Sequence, residues 1–231
     1  MRAVVTGGTR GVGLAVCKAL SERGYAITAL YSSGEEDVIK ARAALPAVSF
    51  IKADVSRESD VKAVFDTFRS LDVLVNNAGT ALYKQVQDTT YEEWARVMGV
   101  NAGGTFLCAK HAVKKMIERG GAIVNVASVW GETGGSCESV YSASKGAVIA
   151  FTKALAKELA PSRITVNCVS PGVVDTRMIS NLSIEDRAAL CEDIPLGRFA
   201  CPEEVASAVL FCIENKYLTG QVISPNGGFY I

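Results

Sequence analysis

The chain has 231 residues, 49% of them hydrophobic and 21% charged, with only 6 prolines. That composition excludes a disordered or collagen-like chain, and the length suits one domain, residues 1–231, that needs no metal or disulfide to be stable. Because 24 basic residues balance 24 acidic ones, the chain has no electrostatic footprint for nucleic acid or an anionic membrane surface.

Targeting and redox features point to a cytoplasmic protein. No apolar run approaches the roughly 18–20 residues that a membrane span needs, and a strand-like run starts at Arg2, so we expect no leader. With one histidine and no C-x-x-C pair, no metal site is expected. The seven cysteines are expected to be reduced, largely structural thiols: Cys17, Cys108, Cys137, Cys168, Cys191, Cys201 and Cys212.

Short β-branched runs alternate with amphipathic stretches from end to end. The near-continuous apolar character of these runs favours a sheet that is covered on both faces, and their alternation with helices indicates right-handed βαβ units. The sequence therefore predicts an α/β fold with one doubly wound parallel sheet of about seven strands. The predicted strands are Arg2–Thr6, Tyr25–Tyr31, Val48–Lys52, Asp72–Asn76, Ala122–Ser128, Ile164–Ser170 and Gln221–Ser224.

The first predicted strand leads into a glycine-rich turn, T-G-G-T-R-G-V-G at residues 6–13, and then a helix. Glycine lets phosphate oxygens approach the main chain, and a helix N-terminus offers free N–H groups and a partial positive charge to a pyrophosphate. The glycines are spaced G-x-x-x-G-x-G, unlike the common G-x-G-x-x-G pattern, since Val16 stands at the third glycine position. Taken alone, such a turn could also bind nothing.

Further motifs follow in order at the ends of predicted elements. They are Asn76-Asn77-Ala78-Gly79 after the fourth strand, Ser128 with Tyr141 and Lys145 in an S…Y-x-x-x-K arrangement, and Pro171-Gly172 after the sixth strand. With these motifs and the glycine turn, the chain resembles the short-chain dehydrogenase/reductase family from Arg2 to the C-terminus. The resemblance implies a Rossmann-type fold with helices on both faces, an NADP(H) cofactor, and reduction of a ketone to a secondary alcohol.

The resemblance assigns catalytic roles to Asn101, Ser128, Tyr141 and Lys145. The i,i+4 spacing places Tyr141 and Lys145 on one helix face, where the ammonium and a positive nicotinamide ring should lower the phenol pKa from its usual value of about 10. Ser128 would polarise the substrate carbonyl, and Asn101 would anchor a water that links Lys145 to solvent. The Y-x-x-x-K pair alone is common on ordinary helices, so the other motifs carry this assignment.

The segment after the second strand predicts a preference for NADPH. Tyr31-Ser32-Ser33 contains no carboxylate before Glu35 that would repel a 2′-phosphate. Arg10, in the glycine turn, can donate to such a phosphate, or it is simply a solvated turn residue. The preference would amount to about 1–3 kcal/mol, the range of a few charge-assisted hydrogen bonds.

Several residues have a structural alternative to a role in cofactor binding. Asp54 either accepts from the adenine amino group or caps the helix that starts near Arg57, and Thr176 either fixes the carboxamide or caps the next helix. Asn77, Ala78 and Gly79 lie beneath the cofactor or simply form a turn. The complete predicted cofactor site is Gly7, Thr9, Arg10, Gly11, Val12, Gly13, Tyr31, Ser32, Ser33, Asp54, Val55, Asn77, Ala78, Gly79, Tyr141, Lys145, Pro171, Gly172, Val174 and Thr176.

Two stretches are predicted to border the substrate. In the loop between Ser128 and Tyr141, Trp130 either walls the pocket or packs in the core, and Cys137 is either a redox-sensitive thiol or an ordinary wall residue. The irregular segment Thr176–Pro202 lies where ligands of open α/β folds bind, and is either a lid or a surface excursion. Ser183 is expected to begin a helix within it.

Within the family, the chain most resembles the 3-oxoacyl-acyl-carrier-protein reductases of fatty acid biosynthesis, in Ala154–Ala160 and Ile164–Asn167. Val129–Gly131, Ser136–Glu138 and Asn226–Ile231 look more like the elongation factor P 5-aminopentanone reductases, which reduce a ketone carried on a protein lysine. The implied partners are therefore acyl carrier protein or modified elongation factor P. A sugar or polyol dehydrogenase and a non-catalytic NADP-binding sensor are further alternatives, and kinship implies a homotetramer or homodimer.

Overall fold

The structure is a computed structural model that describes residues 1–179 and 183–231. Within these residues, seven strands form one parallel sheet in the order β3-β2-β1-β4-β5-β6-β7. The predicted doubly wound sheet is confirmed. The strands are β1 (Arg2–Thr6), β2 (Ala26–Tyr31), β3 (Ser49–Lys52), β4 (Val73–Asn76), β5 (Gly121–Val126), β6 (Ile164–Val169) and β7 (Val222–Ile223).

Helices cover both faces of the sheet, as expected for a Rossmann-type fold. A π-helical turn at Gly99–Gly103 joins two of them without a break. The helices are α1 (Gly11–Glu22), α2 (Glu35–Ala44), α3 (Glu58–Asp66), α4 (Tyr91–Met98), α5 (Gly104–Met116), α6 (Trp130–Thr133), α7 (Ser139–Leu159), α8 (Ile184–Glu192) and α9 (Pro202–Glu214).

Every predicted strand is present, with ends that differ by at most two residues. The largest difference is at β5, which ends at Val126 and not at Ser128. The backbone still runs alongside β6 beyond that point, because Ala127 N–H donates to the Val169 carbonyl at 2.8 Å. β7 is reduced to two residues because it is an edge strand that pairs only with Cys168 and Val169.

The central strands are apolar throughout because successive residues enter two different cores. Ala3 and Val5 of β1 pack with residues of α1, α2 and α9, whereas Val4 packs with residues of α3, α5 and α7. The same alternation occurs in β4, where Leu74 lies in the second core. Burial on both faces explains why these strands show no apolar/polar alternation in the sequence.

The strand order places a cleft at the carboxyl ends of β1 and β4. These strands are neighbours in the sheet, but the connections after β1 lead toward β3 and those after β4 lead toward β7. The loops that follow β1 and β4 therefore diverge over opposite halves of the sheet. In open α/β sheets, this point of divergence is where ligands bind.

All seven cysteines are free, and burial raises the pKa of Cys17, Cys108 and Cys168 to about 12. These three buried thiols are therefore inert and structural. Among the described residues, no three or more His, Cys, Asp or Glu side chains cluster as a metal site would require. No helix in that part of the chain combines the length and apolarity needed to cross a bilayer.

Candidate active site

The glycine turn after β1 is locked to the Asn-Asn-Ala-Gly segment after β4. A Cβ atom at position 13 would lie 2.1 Å from the Gly7 carbonyl oxygen, so only glycine fits there. The Asn77 amide donates to the carbonyls of Thr6 (3.0 Å) and Gly7 (3.2 Å), and the Thr6 hydroxyl accepts from the N–H groups of Asn77 and Ala78. The two motifs therefore form one rigid floor, in which Thr6 has a role that the sequence did not suggest.

The N-terminus of α1 opens above this floor and fits a pyrophosphate. Arg10, its N-cap residue, makes no side-chain capping bond, and the first turn of the helix contains no acidic residue. Gly11 has a φ of +50°, a left-handed angle that favours glycine. Thr9 is buried and Val12 packs against the core, so this turn presents main-chain N–H groups and not side chains. These features suit a dinucleotide.

The predicted reacting residues meet at the carboxyl end of β5. Tyr141 and Lys145, one turn apart on α7, are 7% and 5% exposed, and Ser128 is 8% exposed. The Ser128 hydroxyl lies close enough to the Tyr141 phenol to act against the rise of the phenol pKa, and it accepts from Trp130 N–H at 3.3 Å. The Lys145 ammonium lies 5.7 Å from the centre of the Tyr141 ring and donates to the Val126 carbonyl at 2.8 Å.

The pKa values of this pair differ from the sequence expectation. Burial raises the pKa of Tyr141 to about 12, although the bond from Ser128 acts in the opposite direction. Burial also lowers the pKa of Lys145 to about 8. With the protein's own groups alone, loss of hydration therefore outweighs the ammonium's attraction for a phenolate. The phenol is held protonated, as a proton donor requires, and the lysine titrates close to neutral pH.

Asn101 lies in the π-helical turn between α4 and α5 and is fully buried. Its amide donates to the Thr80 carbonyl (2.9 Å) and the Ser144 hydroxyl (2.8 Å), and its carbonyl accepts from Thr80 N–H (2.8 Å). A Cβ atom at Gly79 would lie within 3.4 Å of both the Asn101 carbonyl oxygen and the Lys145 ammonium. Asn101 therefore stands beside Lys145 and anchors the loop after β4, with Thr80 as a partner that the sequence did not suggest.

At the opposite end of the cleft, an unexpected carboxylate lies beside Arg10. Asp37, in the first turn of α2, accepts from Arg10 at 2.9 Å and from Arg177 at 3.3 Å. Tyr31 ends β2, and the exposed Ser32 and Ser33 lead into α2. Sequence reasoning considered only carboxylates that come before Glu35, and so it missed an acidic side chain that folds back toward the turn.

Asp54 and Val55 follow β3. The Asp54 carboxylate accepts from the backbone N–H (2.9 Å) and the hydroxyl (2.7 Å) of Ser56, which holds its pKa below the usual range. It does not cap α3, whose N-cap residue is Arg57. Val55 is buried against Gly104 of α5. The local turn therefore accounts for the position of Asp54, and its second carboxylate oxygen lies 3.6 Å from the Arg57 guanidinium.

The segment after β6 reaches back to the glycine turn. Pro171 accepts from Val129 N–H, and Gly172 packs on Asn226, where a Cβ atom would lie 2.9 Å from the Asn226 Cα. The Thr176 methyl would lie 3.3 Å from a Cβ atom at Gly11. Its hydroxyl also accepts from Met178 N–H, at 3.4 Å, so Thr176 both covers the turn and weakly caps the helical turn that follows.

Beyond Val174, which pairs with Ala200, the structure describes most of the segment predicted as Thr176–Pro202. Ser183 begins α8 as predicted, and its hydroxyl accepts from Asp186 N–H at 3.0 Å. Arg187 of this helix pairs with Asp175 at 2.8 Å. Residues 180–182 of the predicted segment lie outside the described residues.

The loop between Ser128 and Tyr141 forms one side of the reaction centre. Trp130 is half-buried and meets Phe229 edge-on, with ring centres 5.3 Å apart, so it stands at the boundary of the pocket and not in the core. Glu138 is a half-buried carboxylate whose pKa burial raises, and the nearby Trp130 indole acts in the opposite direction. Glu138 is one helical turn before Tyr141 and raises the pKa of its phenol electrostatically. Sequence reasoning did not single it out.

Comparisons with known proteins agree on one family. A family model described as "Enoyl-(Acyl carrier protein) reductase" matches residues 7–230. The chain is 42% identical to "3-oxoacyl-[acyl-carrier-protein] reductase FabG" of Aquifex aeolicus (strain VF5), over 98% of this chain and 96% of that relative. It is 40% identical to "Carbonyl reductase family member 4" of Danio rerio, over 99% of this chain and 98% of that relative. It is 34% identical to "Uncharacterized oxidoreductase YmfI" of Bacillus subtilis (strain 168), over 99% of this chain and 98% of that relative.

Proposed function

Because the chain belongs to the short-chain dehydrogenase/reductase family, we propose that it reduces a ketone to a secondary alcohol with NADPH and acts on 3-oxoacyl groups held by acyl carrier protein. As a member of this family, the chain is an oxidoreductase that acts on C=O and CH–OH groups. The observation that supports the proposal best is the buried contact between Ser128 and Tyr141, with Lys145 directly behind it. The names of FabG-type relatives support the acyl-carrier substrate.

The buried hydroxyl groups would hold the carbonyl oxygen of the substrate. The Ser128 hydroxyl is near enough to the Tyr141 phenol to affect its pKa, so both hydroxyl groups could donate to one oxygen placed between them. These fixed donors would stabilise the negative charge that develops on that oxygen as the carbonyl carbon is reduced. The glycine turn at residues 6–13 would hold the dihydronicotinamide cofactor, which would supply the hydride when bound.

Proton delivery would run through Tyr141 and Lys145. The Tyr141 phenol, with a pKa raised to about 12 by burial, keeps its proton until the oxygen becomes strongly basic. As Tyr141 gives up that proton, the phenolate forms beside the Lys145 ammonium. Lys145, with a pKa lowered to about 8, can pass a proton on near neutral pH. Asn101 holds the loop beside Lys145 and keeps this end of the path in place.

The test is a steady-state assay of the purified chain with acetoacetyl-acyl carrier protein and either NADPH or NADH. We expect turnover with NADPH, and a kcat/KM about tenfold or more above that with NADH, the equivalent of at least ~1.4 kcal/mol. Comparable values for the two cofactors would contradict the NADPH preference. If the chain reduced another ketone but not the acyl-carrier substrate, the proposed substrate would be wrong and the proposed reaction class would still hold.

A second candidate substrate is a ketone that carries an amino group, such as a 5-aminopentanone on elongation factor P. One residue favours it: Glu138 is a half-buried carboxylate beside Tyr141, and among the described residues it forms no ion pair. Burying a carboxylate without a cation is costly, and a substrate ammonium would relieve that cost. The aromatic face of Trp130 next to it would favour the same cation.

Glu138→Gln separates the two substrate classes, because the amide keeps the shape of the side chain and loses its charge. For a primary amino ketone, we expect kcat/KM to fall by threefold to tenfold relative to a neutral ketone of the same length, the range of a partly exposed charge pair. Glu132→Gln, on the same loop but bonded to Ser224, is the matched control. An equal effect on both ketones would contradict recognition of the amine.

Three broader features are part of the proposal. The whole chain acts as one NADP(H)-binding domain, in the cytoplasm, where its seven free thiols would stay reduced.

The chain assembles into a homotetramer or homodimer through α5 and α7. Phe106, 48% exposed on α5, lies edge-on to Phe151 of α7 and leaves an aromatic face for a second copy. Size-exclusion chromatography with light scattering tests the assembly, and a monomer would contradict it.

A further inference from the structure

Three charged side chains from three separate segments meet beside the glycine turn. Arg10 comes from the glycine turn, Asp37 from the first turn of α2, and Arg177 from the segment after β6. The Asp37 carboxylate is only 20% exposed and accepts from both guanidinium groups, at 2.9 Å and 3.3 Å. The two arginines outnumber the carboxylate, so the cluster carries one net positive charge.

Neighbouring residues fix the position of this cluster over the cleft. Gly34 lies directly against it, because a Cβ atom there would lie 2.8 Å from the Asp37 carboxylate and 3.4 Å from the Arg10 guanidinium. Thr176, next to Arg177, packs on Gly11 of the phosphate-binding turn. The main chain at Arg177 therefore lies next to the glycine turn, and the Arg177 side chain reaches Asp37 of α2. This span therefore lies directly beside the turn that would bind a nucleotide.

We propose that Arg177 is a specificity-determining residue for the cofactor, which together with Arg10 binds the 2′-phosphate of NADPH. The inference rests on the proposed function, in which the cofactor is NADPH. Guanidinium groups match the geometry of phosphate oxygens, and two of them around one phosphate give several charge-assisted hydrogen bonds. Asp37 holds both arginines in place before binding, and it also opposes the phosphate by repulsion.

This arrangement makes opposite predictions for the cation and the carboxylate. Arg177→Gln removes a donor to the phosphate, so the Kd for NADPH should rise by roughly threefold to tenfold, while the Kd for NADH changes by less than twofold. Asp37→Asn removes a repulsive charge, so the ratio of the NADH Kd to the NADPH Kd should increase. Both side chains are at the surface of the cleft, and we expect the two variants to keep the wild-type Tm.

The experiment is isothermal titration calorimetry of the whole chain with NADPH and NADH, and with the fragments adenosine 2′,5′-bisphosphate and adenosine 5′-monophosphate. The fragments isolate the 2′-phosphate from the nicotinamide end and need no turnover. Arg187→Gln is the matched control, since Arg187 belongs to the same chain segment but pairs with Asp175. It should leave all four affinities unchanged.

The outcomes distinguish this inference from the proposed function. If the wild type binds NADPH more tightly than NADH and Arg177→Gln weakens only the two 2′-phosphorylated ligands, the inference is supported. If Arg177→Gln weakens all four ligands equally or none of them, the inference is wrong, and the proposed function stands. If the wild type binds neither nucleotide, or prefers NADH, the proposed cofactor and the inference both fail.

Discussion

The predicted reaction centre and the charged cluster of Arg10, Asp37 and Arg177 are built in different ways. At the predicted reaction centre, Ser128, Tyr141 and Lys145 are each less than 10% exposed, and Lys145 donates to the Val126 carbonyl. In the charged cluster, Arg10 and Arg177 are 51% and 71% exposed and both donate to the Asp37 carboxylate. Burial strengthens electrostatic effects, whereas water and salt weaken them at the surface. The first region can therefore shift proton affinities, while the second can only adjust binding.

The largest expected effect belongs to the reaction centre. Tyr141→Phe removes the proposed proton donor but keeps the buried ring, so kcat should fall by about 10²–10⁴, the usual contribution of a general acid. The Kd for NADPH should remain close to wild type. Steady-state kinetics and calorimetry provide the two measurements.

Tyr217→Phe serves as the control. Because the Tyr217 side chain is fully exposed, this variant should retain wild-type turnover. Near-normal kcat in Tyr141→Phe would remove this residue from the proposed mechanism. A parallel loss of NADPH binding would show instead that the two regions are not separable.

A second prediction concerns the turn that joins the two regions. Gly13→Ala places a Cβ atom 2.1 Å from the Gly7 carbonyl oxygen, a backbone atom that cannot move aside. We expect the free energy of unfolding to fall by about 1–3 kcal/mol, as for other overpacked sites, and nucleotide binding to weaken at the same time. Chemical denaturation measures the first effect and calorimetry the second.

Gly99→Ala is the matched control for this substitution, because nothing lies within 4 Å of the added Cβ atom in that helical turn. It should leave stability unchanged or slightly increased. Equal stability of the wild type and Gly13→Ala would disprove the tight packing of the turn.

A third prediction is a pH dependence of stability that arises from Lys145. Its pKa is lowered by burial from 10.5 to about 8. Between these values the unfolded chain binds a proton that the folded chain does not, so the free energy of unfolding increases with pH. Lys145→Met abolishes this dependence, and the Tm of the wild type should therefore rise relative to that of the variant from about pH 8 to pH 10.

Differential scanning calorimetry over that pH range measures the difference. Lys153→Met removes an exposed lysine from the same helix and controls for the change in net charge. Parallel Tm curves for the wild type and Lys145→Met would show that Lys145 has an ordinary proton affinity in the folded state.

The difference between the buried reaction centre and the exposed charged cluster also determines how much of the structure the sequence could predict. The strands were predictable because burial on both faces requires runs such as Val73–Asn76, and the reaction centre was predictable because its residues belong to motifs with fixed spacing. Asp37 of α2 and Arg177 of the segment after β6 lie 140 positions apart in the sequence and meet only in the folded structure. Glu138 had a weaker signal, since its position one turn before Tyr141 on the helix suggests a shared face.

The pKa values show a further limit. Sequence spacing places an ammonium beside a phenol and so suggests a lower phenol pKa, but the result depends on how much water each group loses. Both side chains of the Tyr141–Lys145 pair are almost fully buried, and this loss dominates. Burial of that degree depends on packing from β5, β6 and the loop after β4, which the spacing of two residues does not reveal.

The lock between Thr6 and the segment after β4 also has a consequence for how the protein matures. The Thr6 hydroxyl is bonded to backbone groups 71 and 72 residues further along the chain. A growing polypeptide therefore has no finished nucleotide cradle until β4 has been synthesised and has inserted next to β1. Contacts between such distant segments form slowly, and a nucleotide that binds only the completed cradle would draw late intermediates toward the native state.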